Sequence, residues 1–145
     1  MTFTEMRVGD QAIRHDRDRT LRVYSGLENG VADECGCIYC QNFAAQRASA
    51  YPKSFRQLLD QLGIDPAKEG EFYEVGPAEG GKVTYQGWFY LIGEMIEPGE
   101  GNTKLDGIEY FFTTKCASAP AFRGEPLLAL EFSATLNWVL AIHPE

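Results

Sequence analysis

Apolar side chains recur at Phe55, Leu58, Leu59 and Leu62, spaced i, i+3, i+4 and i+7. That spacing lines one side of a helix and predicts a core-facing stripe. Pro52 fits its first turn, where a missing N–H costs nothing, and Gly63 can take the left-handed position after its last turn. Just upstream, residues 39–50 are rich in Ala and Gln and predict another helix, with Tyr39, Phe43 and Ala44 on one side. Tyr51 precedes a proline and is pushed out of the helical region, which separates the two helices.

From residue 71 the pattern changes to a period of two. Residues 71–75 read as a short strand, closed by the turn-rich stretch 76–81. Val83, Tyr85, Phe89 and Leu91 share one face of a run from 82 to 95, and Trp88, Tyr90 and Ile92 make the other face apolar too. A strand apolar on both faces is expected to be covered on both. Gly87 within it marks a bulge or a close backbone approach. After a loop tip at 98–102, residues 108–114 read as the return strand of a long hairpin. A last strand follows at 127–132, and the apolar stretch 136–140 could add another.

The N-terminal residues are less patterned. Residues 1–19 are polar and end in a run of alternating charges at 14–19, expected to be a loosely packed loop or edge. Leu21, Val23 and Tyr24 could form a first short strand, and Glu28-Asn29-Gly30 a turn. Helices early and strands late give one α+β domain over residues 1–145. Two or three helices of the N-terminal half would pack on a mostly antiparallel sheet from the C-terminal half.

Composition narrows the function classes. At 145 residues and 44% hydrophobic, the chain can build a core without help from a metal or disulfides. A net charge of −8 does not suit a nucleic-acid binder, which needs a basic face to displace counterions from phosphates. It favours basic partners or cations. No apolar run approaches the roughly 18 residues that span a bilayer, and no signal peptide is visible. A cytoplasmic location, where thiols stay reduced, is expected.

The sharpest chemical lead is the segment Cys35-Gly36-Cys37-Ile38-Tyr39-Cys40, which holds three of the four cysteines. A buried thiol acting as a small hydrophobe suits the isolated Cys116, but suits a cluster beside Glu34 and Gly36 poorly. The leading reading is a metal site, most simply zinc. Cys37-x-x-Cys40 lets two thiolates face one ion, Cys35 adds a third, and Cys116 would complete a four-sulfur set. Asp33, His15 and His143 are weaker candidates for the fourth place, and a separate metal role for His15 with Asp16 is weaker still. A second reading is thiol–disulfide redox chemistry at Cys37 and Cys40, near a helix start that lowers thiol pKa, although Asp33 and Glu34 oppose a thiolate there. Spacing matches neither ferredoxin pattern.

Other chemistry is thin. Two histidines leave little room for acid–base catalysis, no Gly-x-Ser-x-Gly elbow is present, and Gly80-Gly81-Lys82 lacks the phosphate-loop frame. Glu94, Glu97 and Glu100 read as exposed carboxylates. Tyr85, Trp88, Phe89, Tyr90, Tyr110, Phe111 and Phe112 fall on two strands expected to pair. Most should be core, with a minority left to line a partner surface.

The order Cys-x-Cys-x-x-Cys-x-Asn-Phe at 35–43, then Tyr51-Pro52, Leu62-Gly63-Ile64-Asp65, Tyr85-Gln86-Gly87-Trp88-Phe89 and Leu130-Glu131-Phe132 resembles a family of small uncharacterised bacterial proteins. The likeness covers roughly residues 20–140, gives Cys116 no counterpart, and implies a bacterial source but no activity. The expected function is therefore a non-catalytic zinc-binding domain acting through a protein partner, without nucleic acid or membrane. The rivals are a redox protein using Cys37 and Cys40, and an acidic immunity- or inhibitor-type protein with structural cysteines.

Overall fold

The computed structural model describes residues 3–28, 30, 35–100, 102–116 and 119–142. Among them the chain runs β1 (Thr4–Val8), β2 (Gln11–His15), α1 (Arg17–Ser25), α2 (Ile38–Ala50), α3 (Lys53–Leu62), β3 (Glu71–Pro77), β4 (Val83–Glu97), β5 (Thr103–Leu105), β6 (Ile108–Thr113) and β7 (Leu127–Leu136). The strands form one sheet in the order β1-β2-β4-β7-β6-β5, with β3 also paired to β4. Every pairing is antiparallel. The α+β class, with helices early and most of the sheet late, is as the sequence predicts. No helix among the described residues is long and apolar enough to cross a membrane.

One face of the sheet carries the core. Tyr85 and Phe89 on β4, Phe132 on β7, Tyr110 on β6 and Phe72 on β3 are buried beneath α2 and α3. The stripe predicted for α3 is the one buried, Phe55, Leu58, Leu59 and Leu62, and Gly63 ends the helix in the left-handed region. Aromatic rings knit the layers. Phe55 lies 5.2 Å from Tyr110, Tyr51 lies 5.5 Å from Phe132, and Phe43 of α2 lies 4.0 Å from Phe72. Gly87 sits where two backbones crowd, because a Cβ there would lie 2.5 Å from the Glu71 carbonyl oxygen. The outer face is covered only in part. Phe122 packs on Tyr90, whereas Trp88 and Phe111 stay half-buried.

Three expectations need correcting. Residues 108–113 do not return alongside β4, because β7 inserts between them and pairs with both. A polar run carries little register information, so the N-terminal hairpin was also illegible. β1 and β2 extend the sheet past the C-terminal half of β4, with Ile13 buried. The Gln11 amide fixes that hairpin by exchanging two 2.8 Å hydrogen bonds with the Phe112 backbone. Residues 17–25 form a helix instead of a strand, and residues 137–140 add no strand.

The reason for α1 lies in β4. On one edge, β3 pairs as far as Trp88 and β2 begins at Gly93, which leaves a gap in the ladder. Buried backbone groups need partners. Gly70 N–H donates to the Trp88 carbonyl, Tyr24 Oη donates to the Tyr90 carbonyl at 2.7 Å, and the Ile92 N–H donates to Thr20 Oγ1 at 3.0 Å. Asp16 N–H then donates to the Ile92 carbonyl at 3.0 Å, while the Asp16 side chain caps α1. Two side chains of a helix thus stand in for an edge strand.

Removing either hydroxyl strands a buried backbone group. Thr20→Val and Tyr24→Phe should each cost about 1–3 kcal/mol of folding stability, read from urea unfolding. Unchanged midpoints would show that the gap needs no partner.

Candidate metal centre

The cysteine segment packs against the first turn of α2. Cys37 is the N-cap of that helix, and its sulfur accepts from the Cys40 N–H at 3.4 Å. The Cys37 carbonyl accepts the Gln41 N–H at 2.9 Å, and Gln41 Nε2 donates to the Gly36 carbonyl at 2.8 Å. Gly36 has a φ of 71°, a conformation that a side chain would strain, and it folds Cys35 back over Cys37.

The result brings three sulfurs together. The Sγ atoms of Cys35, Cys37 and Cys40 all lie within 4.8 Å of one another, Cys35 and Cys37 exposed and Cys40 buried. Three sulfurs on one tetrahedral zinc at about 2.3 Å would be about 3.8 Å apart, so closure needs separations to shrink by no more than about 1 Å. The Cys37 N–H donates to the Cys35 sulfur and, with the neighbouring thiols, holds the Cys35 thiol below its usual range against the Glu71 charge. Burial pushes the Cys40 thiol up, and the two sulfurs beside it push it further. Three thiols brought to one point are a donor set for a soft or borderline cation.

A polar anchor holds this turn to the sheet. Asn42, fully buried on α2, donates to Tyr85 Oη at 3.2 Å and to the Asn137 carbonyl at 3.0 Å. Its side-chain Oδ1 accepts from the Val139 N–H at 2.8 Å. Tyr85 Oη in turn donates to the Tyr39 carbonyl, at 2.8 Å, between the cysteines Cys37 and Cys40 and the rest of α2. Further along the helix, Arg47 pairs with the buried Glu69 at 3.2 Å and lies over the Phe43 ring. Asn42 and Tyr85 were not singled out as site residues by sequence reasoning. An Asn beside the core-facing Phe43, inside a helix, was the available signal.

The other proposed ligands that are described lie elsewhere. Cys116 follows β6 and is not among the sulfurs that come together. Its thiol, raised by burial and then by the Glu131 charge, points to the Thr114 carbonyl at 3.8 Å. Glu131 pairs in register with Trp88 and Phe111, on the sheet face opposite Tyr85 and α2. His15 is buried on β2, its Nδ1 without a hydrogen-bond partner, and burial lowers its pKa. Asp16 caps α1. Asp33 and His143 lie outside the described residues.

Comparison with protein-family models, with curated proteins and with solved structures found no match. The meaning of the site therefore rests on its own geometry.

Asn42→Ala should remove the anchor, costing about 1–3 kcal/mol in urea unfolding, because Tyr85 Oη loses one of its two partners and the Val139 N–H loses its side-chain acceptor. A loss below about 0.5 kcal/mol would contradict the role given to Asn42.

Proposed function

We propose that Cys35, Cys37 and Cys40 bind a zinc ion, and that the protein is a non-catalytic zinc-binding domain that engages a protein partner. The observation that carries the reading is the convergence of three sulfurs within 4.8 Å at a capped helix start. Thiolate donors suit zinc, and N–H groups donating to the sulfurs support their anionic state. Because the aromatic core lies between α2, α3 and the sheet, the metal reinforces a local turn and does not create the fold. The partner side of the proposal is supported by the net charge of −8 and by exposed Tyr73 and Val75 on β3.

A second reading follows from the same turn. An exposed Cys35 thiol held low in pKa, beside Cys37 and Cys40, is also the arrangement of a thiol–disulfide pair. In that reading Cys35 joins Cys37 and Cys40 in the reactive set.

Metal content separates the two. Protein purified without a histidine tag or chelator should carry about one zinc per chain. Cys35, Cys37 and Cys40 should then resist alkylation until the metal is removed, while Cys116 reacts. Cys37→Ser should lose the metal and stay folded. Metal-free protein with all cysteines reactive, or with a disulfide inside the segment, would overturn the zinc reading.

A further inference from the structure

Three sulfurs are one donor short of a closed structural zinc site. Among the described residues, no other His, Cys, Asp or Glu comes within mutual reach of Cys35, Cys37 and Cys40. The sequence nominated Cys116 first for that place, but it lies by Glu131, which is on the far face of the sheet from Tyr85 and α2; His15 is not in the cluster, and Asp33 and His143 lie outside the described residues. Two of the three cysteines, Cys35 and Cys37, are exposed, so an ion touching all three sits near the protein surface.

Charge selects what can fill it. A divalent ion with three thiolates carries one net negative charge, on a chain already at −8. Glu71 adds to the negative field at Cys35. A fourth thiolate or a carboxylate would deepen that charge, whereas a neutral nitrogen adds none. Imidazole is the neutral nitrogen donor that proteins supply, and it suits zinc.

Building on the zinc reading above, we propose that the fourth coordination position is open and is filled by a neutral imidazole nitrogen from a histidine of a partner protein. The metal would then be the contact point of the partner interface. Binding is ligand exchange: the nitrogen lone pair forms the new metal bond, the solvent molecule held there leaves, and no electron is transferred.

Cobalt(II) reports on this directly, because its sulfur charge-transfer bands follow the number of metal–thiolate bonds and its visible d–d bands follow the full donor set. The full chain is loaded with one equivalent of cobalt and titrated with imidazole and with a short blocked peptide containing one histidine. The expected result is a thiolate charge-transfer band, d–d bands that shift saturably with both additives, and an unchanged spectrum in Cys116→Ser. Bands that ignore both additives would mean that the chain closes its own site, which overturns the open position while leaving the metal reading intact. A shift with imidazole alone would overturn the partner histidine in favour of a small free ligand. A spectrum altered by Cys116→Ser would make Cys116 the fourth ligand and overturn the inference. No charge-transfer band at all would remove the zinc reading itself.

Discussion

The hydrogen-bonding needs of one long strand organise this molecule. β4 is 15 residues long, and β7 satisfies one edge over most of its length. The other edge is shared among β3, the α1 hydroxyls and β2, each covering a different stretch. Main-chain N–H and C=O groups cannot be left dry without cost, so the N-terminal hairpin and α1 are held in place by the same demand. This also explains why α1 has no strong apolar stripe. Its buried residues are Thr20 and Tyr24, four apart, and what they bring to the sheet is a pair of hydroxyls.

The same strand positions the cysteine turn. Tyr85 points inward from β4 and meets Asn42 and the Tyr39 carbonyl at the start of α2. Phe43, one residue on, enters the aromatic core against Phe72 and Tyr51. The helix start is therefore fixed from below by packing and hydrogen bonds, while Cys35 and Cys37 remain exposed above it. A rigid base with an accessible rim is what a surface metal site requires. The Arg47–Glu69 pair ties the same helix to the segment leading into β3. Breaking such a buried pair by removing one partner leaves a charge without compensation, so it fixes the position of α2 more than it adds net stability.

Much of this was legible from residue order, and what was not has physical causes. The α3 stripe, the α2 helix, the break at Tyr51-Pro52 and the inward face of β4 follow from local periodicity, which the core obeys. The neighbour of β4 does not. Placing β7 between β4 and β6 is a choice among pairings of similar apolar strands, and no local pattern records it. β1 and β2 were missed because their contribution is mainly backbone pairing plus Ile13 and the Gln11 amide, which leave almost no hydrophobic signature. For the site, three clustered cysteines were visible at once. Cys116 was attractive only because it completed a count, and chain order says nothing about which face of a sheet a thiol will occupy.

The donor set decides whether the proposed zinc site exists. X-ray absorption at the zinc edge, on protein loaded with one equivalent of zinc, measures it directly. The prediction is a shell of three sulfurs at about 2.3 Å and one nitrogen or oxygen at about 2.0–2.1 Å. A shell without sulfur would mean that Cys35, Cys37 and Cys40 do not hold the ion, and a shell of four sulfurs would mean that the site is closed by a cysteine that the fold places elsewhere.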